Sequence, residues 1–135
     1  MMAEPIRVHH LAVVVDDLDG ALAFWRDALG LRVSQVKDEP EQASQVAFLP
    51  AGEAEIELVR PTTGDSGIAR YLAKRGPGMH HICLSVSDLR ESLQRLASKG
   101  IRLINPEPMT SSDGRRYAFV HPESTGGVLL ELYEA

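Results

Sequence analysis

Two histidines and two glutamates recur at matching places in the two halves of this 135-residue chain. His10 and Glu57 are 47 positions apart, and His81 and Glu131 are 50 apart. Each histidine lies in an apolar run, His9-His10-Leu11-Ala12-Val13 and His80-His81-Ile82-Cys83-Leu84. Each glutamate stands between aliphatic residues, Ile56-Glu57-Leu58 and Leu130-Glu131-Leu132. Two imidazoles and two carboxylates form a mixed nitrogen and oxygen donor set. Such a set suits a divalent transition metal, cobalt heading a list that includes manganese, nickel, zinc and iron. Taken singly, each residue has a plainer reading. A strand histidine is more often a solvated or satisfied structural residue, and a glutamate alternating with aliphatic neighbours is an ordinary solvent-facing carboxylate. The coincidence at four repeat-related positions favours the ligand reading. Neighbours in a strand face opposite ways, so only one of His9 and His10, and one of His80 and His81, points inward.

The elements that must position these groups are themselves repeated. Residues 8–18 resemble residues 79–89, 71 positions further on. Each block continues into helical spacing, Leu18, Ala21, Leu22, Trp25 and Leu29 in the first and Leu89, Leu93 and Leu96 in the second. Asp17 and Asp88 precede these helices as N-cap candidates, because a carboxylate accepts the orphan N–H groups of the first turn. Both helices stop at a glycine followed by an expected strand, Gly30-Leu31-Arg32-Val33 and Gly100-Ile101-Arg102-Leu103. Further on, Val46-Ala47-Phe48-Leu49-Pro50 resembles Tyr117-Ala118-Phe119-Val120-His121-Pro122, and residues 55–59 resemble residues 129–133.

Each half therefore reads strand, helix and three strands. The fold class is α+β, a single domain over residues 1–135 made of tandem βαβββ modules at about 6–61 and 78–135. A linker with a short helix, Ile68 to Leu72, joins them. A half of this size buries little core alone, so the halves are expected to pack into a curved mixed sheet around a metal-binding cleft. His121 has Pro50 as its counterpart and is assigned to a turn.

Composition narrows the function classes. Hydrophobic residues at 44% and charged residues at 24% describe an ordinary globular chain. A net charge of −5 gives no electrostatic case for nucleic acid or an anionic membrane, so an anionic substrate needs local positive charge or a metal. No apolar stretch is long enough to span a bilayer. Met1-Met2-Ala3-Glu4-Pro5 has no apolar leader, and a cytoplasmic location is the default expectation. Cys83, the single cysteine, excludes an internal disulfide and reads as a small core residue. The glycine clusters match no phosphate-binding motif.

Several longer stretches carry a resemblance. They are His10-Leu11-Ala12-Val13, Pro40-Glu41-Gln42, Glu57-Leu58-Val59-Arg60-Pro61, Asp65-Ser66-Gly67-Ile68-Ala69, Gly78-Met79-His80-His81-Ile82-Cys83, His121-Pro122, and Gly126 through Leu132. With them, nearly the whole chain from Val8 to Leu132 resembles the vicinal oxygen chelate (glyoxalase, bleomycin resistance and dioxygenase) superfamily. Within it, the chain looks most like the methylmalonyl-CoA epimerase family. The resemblance implies that His10, Glu57, His81 and Glu131 occupy metal-ligand positions, with glutamine frequent in the family where Glu57 stands. It also implies that Glu41 is a catalytic base, although the residues alone read it as a solvated charge in the acidic run Asp38-Glu39-Pro40-Glu41. One departure stands out. The family's glycine-rich loop is replaced here by Ser111-Ser112-Asp113-Gly114, which bears on substrate identity more than on fold.

The activity so implied is metal-dependent interconversion of the two C2 epimers of methylmalonyl-CoA. A metal polarises the thioester, and Glu41 and Glu131 serve opposite faces of the enolate. The partner is then a small acyl-CoA substrate, without nucleic acid or membrane, and family habit suggests a homodimer. Three other readings share the layout: a glyoxalase I-like isomerase, an extradiol dioxygenase and a non-catalytic ligand-binding resistance protein. Four intact ligand positions argue against the last two.

Overall fold

A computed structural model of the chain describes residues 5–135; Met1 to Glu4, on which the expectation about a leader falls, lie outside the described residues. Two units emerge, His10–His80 and residues 5–9 with His81–Ala135. The divisions fall inside β1 (Arg7–Val14) and β5 (Gly78–Val86), each of which holds one adjacent pair of histidines.

In the unit His10–His80, hydrophobic alternation builds a mixed sheet. β2 (Gln35–Glu39) pairs antiparallel with β3 (Ser44–Ala51), β3 pairs antiparallel with β4 (Ala54–Pro61), and β4 pairs parallel with β1. On one sheet face Val13, Ala47, Leu49, Ile56 and Leu58 meet Leu18, Ala21, Leu22 and Trp25. Those four residues come from α1 (Leu18–Leu22) and its π-helical continuation Ala23–Ala28, so the expected helical stripe packs except at Leu29, which lies past the helix end and is exposed. The opposite face carries a second cluster of Ala12, Val46 and Val59, covered by Phe48 and Ile68. Ile68 belongs to α2 (Gly67–Arg75), which extends the expected linker helix at both ends. The Ser66 hydroxyl caps α2 by accepting from the Ala69 N–H at 3.0 Å.

The unit containing His81–Ala135 repeats the plan. β5 pairs parallel with β8 (Leu130–Glu134), β8 antiparallel with β7 (Arg116–Val120), and β7 with the two-residue β6 (Met109–Thr110). α3 (Leu89–Ser98) lays Leu89 and Leu93 on Val86, Ala118, Val120 and Leu132. The two N-caps differ. Asp88 accepts from the Glu91 N–H at 3.0 Å, whereas Asp17 makes no side-chain cap bond.

The expected strands after the glycine stops do not form. Leu31 to Ser34 and Ile101 to Pro108 belong to no named strand, with Leu31, Val33, Ile101 and Leu103 packed on the helix-side cores. In place of a ladder, Ser34 N–H bonds to Phe48 C=O in the first segment, and an isolated bridge of Leu103 with Val120 forms in the second, where Ile104 N–H donates to Phe119 C=O and His121 N–H to Arg102 C=O. Burial of the aliphatic side chains suffices to hold these segments. Among the described residues, no helix is long and apolar enough to cross a membrane.

Candidate functional site

In β1 the inward histidine is His10, which shares a face with Ala12. Ala12 is the register partner of Glu57 on β4. This places His10 Nδ1 3.1 Å from Glu57 Oε2, with the histidine 1% exposed and the glutamate 14%. The second unit has the same construction. Cys83 is the register partner of Glu131, and His81 Nε2 lies 3.1 Å from Glu131 Oε1. Cys83 itself is fully buried, as its core reading requires. In both units a phenylalanine faces the glutamate from the next strand, Phe48 opposite Glu57 and Phe119 opposite Glu131. The His81 ring meets Phe119 edge-on at 5.8 Å. Apolar walls of this kind raise the cost of leaving a carboxylate uncompensated, so each is matched to an imidazole.

The spacing fits a metal. Two ligand atoms bound about 2.1 Å from one ion at a right angle lie about 3.0 Å apart, close to the observed N···O separations. Nitrogen and oxygen donors of this kind accept Co, Mn, Ni, Zn or Fe.

The outward histidines have other neighbours. His9 packs on Tyr133 at 4.7 Å, and its Nε2 is 3.0 Å from Arg115 Nη1. The Arg115 guanidinium also lies 4.9 Å over the Tyr133 ring. His80 meets Tyr71 of α2 edge-on at 4.8 Å, and the Tyr71 hydroxyl donates to the Met79 carbonyl at 2.6 Å. His121 keeps the turn role, its Nδ1 accepting from the Glu123 N–H at 3.0 Å.

Glu41 is joined to neither His–Glu pair. It is exposed in the 3-10 turn Pro40–Gln42 between β2 and β3, and its side chain makes no hydrogen bond or ion pair among the described residues. Ala43, next in the turn, is left-handed at φ 48 and ψ 49. Ser44 then starts β3 at 1% exposure, and its hydroxyl is the one buried side-chain polar atom without a partner among the described residues. The turn that departs from the family pattern is tightly bonded. Ser111 Oγ pairs with the Asp113 carboxylate and donates to the Arg115 carbonyl, while the Arg115 N–H reaches Asp113 Oδ1 at 3.1 Å.

Sequence reasoning missed Phe48 and Phe119 as site walls, although the repeat had aligned them. Only strand register reveals what they face. It also missed Ser44, whose type carries no sign of its burial.

Comparison with known proteins bears on the whole arrangement. The model of the Glyoxalase/Bleomycin resistance protein/Dioxygenase superfamily matches residues 9–119. The chain belongs to this superfamily. A glyoxalase-superfamily relative, mitochondrial methylmalonyl-CoA epimerase of Mus musculus, is 39% identical over 130 residues, covering 96% of this chain and 73% of that protein. The crystal structure of methylmalonyl-CoA epimerase from Mycobacterium tuberculosis matches with a TM-score of 0.83 at 36% identity, covering 95% of this chain and 87% of the other. A methylmalonyl-CoA epimerase in complex with methylmalonyl-CoA and NH4+ matches with a TM-score of 0.84 at 31% identity, covering 98% and 96%. With relatives of this kind over nearly its full length, the chain is an enzyme of the racemase and epimerase class.

Proposed function

We propose that the chain interconverts the two C2 epimers of methylmalonyl-CoA, with His10, Glu57, His81 and Glu131 holding one divalent metal ion. The observation that carries this reading is the pair of His–Glu contacts in one register in both units, in a chain whose relatives bear that activity by name. When bound, the ion would supply Lewis-acid stabilisation of the negative charge that develops on a thioester oxygen. The remaining work falls to side chains. Glu41, as a carboxylate, takes the C2 proton from one face and leaves a planar enolate. Glu131, as a carboxylic acid, gives a proton to C2 from the opposite face. The reverse direction exchanges these roles, so no net proton is consumed. Phe48 and Phe119 are apolar and keep water from competing for the enolate carbon.

The test is proton NMR in D2O with methylmalonyl-CoA and the metal-supplemented protein. The expected result is loss of the C2 proton signal together with appearance of the second epimer. An intact C2 signal with cobalt, manganese, nickel, zinc and iron each supplied would overturn the reading.

A further inference from the structure

We propose that Ser44 is a positioning residue for Glu41, its buried hydroxyl donating a hydrogen bond to the Glu41 carboxylate when that side chain turns inward over bound substrate. This rests on the reading of Glu41 as a base.

Four observations converge on one turn. The Ser44 hydroxyl is buried and unpartnered, a condition that folded proteins seldom tolerate without a use for the group. Ser44 lies four residues before Phe48 on β3, on the same sheet face, and Phe48 is the register partner of Glu57. The hydroxyl therefore belongs to the face that carries the His10–Glu57 pair. Glu41, three residues earlier, is an exposed carboxylate without a hydrogen-bond partner among the described residues. Three residues of chain span at most about 10 Å, so Glu41 in the turn Pro40–Gln42 and Ser44 at the start of β3 are near neighbours along the chain. Finally, Ala43 holds a left-handed conformation that a residue with a Cβ rarely adopts.

The repeat acts as a control. The counterparts of Pro40, Ala43 and Ser44 are Ser111, Gly114 and Arg115, each 71 positions on. The same backbone bond closes both turns, Ala43 N–H to Pro40 C=O at 3.1 Å and Gly114 N–H to Ser111 C=O at 2.9 Å. Gly114 has φ +85, so the left-handed step belongs to the repeated fold and glycine meets it without strain. Arg115 is exposed where Ser44 is buried. A strained alanine followed by an orphaned hydroxyl is therefore particular to the turn that carries Glu41. Strain of this sort persists where the site uses it.

The test compares Ser44→Ala, Ser44→Thr, Glu41→Gln and the double variant Ser44→Ala/Glu41→Gln, with melting temperature, kcat, KM and deuterium wash-in read for each. An alanine that removes an unsatisfied hydroxyl should leave the melting temperature equal or higher. It should lower kcat by about tenfold to a hundredfold, the worth of one hydrogen bond to a charged group, with KM little changed. Threonine restores the donor and should restore most of kcat. Ser44→Ala should wash deuterium into one epimer faster than it interconverts the two, as Glu41→Gln should, and should add nothing to Glu41→Gln in the double variant. Wild-type kcat in Ser44→Ala beside a slow Glu41→Gln overturns this inference and leaves the base standing. An equal loss from Ser44→Ala in both backgrounds also overturns it, since Ser44 then acts apart from Glu41. Near wild-type turnover in Glu41→Gln removes the base itself, and this inference with it.

Discussion

Pro40-Glu41-Gln42-Ala43-Ser44 joins β2 to β3 in one unit, and Ser111-Ser112-Asp113-Gly114-Arg115 joins β6 to β7 in the other. The two turns close through equivalent backbone bonds, but their side chains are opposites. The first exposes a carboxylate that has no partner among the described residues, and buries a hydroxyl. The second ties its carboxylate into its own hydrogen bonds and sends a guanidinium onto Tyr133 and His9. In the strands the comparison reverses, because register, His–Glu spacing and facing phenylalanine are all the same. The lesson is that the repeated strands carry what both halves must supply alike, and the turns carry what each supplies alone.

The most severe way to break the likeness of the strands is to delete either histidine. His10→Ala and His81→Ala should each lose more metal affinity than the roughly 10–100-fold that outer-shell partners are worth. Activity should fall with the metal while the circular dichroism spectrum stays folded. Normal metal content by elemental analysis in either variant strikes that histidine from the ligand set and makes the two pairs unequal.

The unlikeness of the turns is sharpened by Glu41→Gln. Size and polarity are kept and the proposed base is removed, so epimerisation should fall by about 10²–10⁴-fold with metal content unchanged. On the proposed two-base scheme the second base should still exchange the proton of one epimer with solvent, and the exchange should outrun interconversion. If exchange and interconversion fall together, a single base serves both faces.

Smaller effects test the backbone. Gly114→Ala puts a Cβ on a left-handed residue and should cost about 1–2 kcal/mol by chemical denaturation. Ala43→Gly should be neutral or stabilising, as strain relief offsets the unfolded-state entropy that glycine adds. A destabilised Ala43→Gly would mean that Ala43 is not strained. At the helix starts, Asp88→Ala should cost about 1 kcal/mol because it removes a made cap bond, and Asp17→Ala only a few tenths. Equal losses at the two aspartates would contradict the difference in their caps.

Much of this was legible from residue order. Strand alternation and the internal match identified the inner strands, most of both packed helix faces and the His and Glu of each half, because side-chain period is a local property and the repeat aligned the rest. Leu31 to Val33 and Ile101 to Leu103 have the residue pattern of strands, yet neither joins a ladder beyond the isolated bridge at Leu103. Half-buried aliphatics present the same pattern whether their backbone joins a ladder or merely lies along a core. Ser44 was invisible for a different reason. Its burial depends on the sheet and turn around it, and nothing in a serine codes for that. The Asp17 and Asp88 caps looked alike in sequence, and they separate only in side-chain geometry.

The outer strands described above also bear on aggregation. β2 and β6 each end their unit's run of paired strands, and an end strand offers a row of open N–H and C=O groups to any other chain. The two are guarded differently. β6 is only two residues long, too short to template a neighbour. β2 is five residues long and carries Lys37, Asp38 and Glu39, with Lys37 and Glu39 paired at 3.6 Å. A second chain could add to β2 only by burying those charges, which leaves exposed Val36 as its one sticky residue. Colloidal stability at high concentration therefore rests on brevity at one edge and on charge at the other.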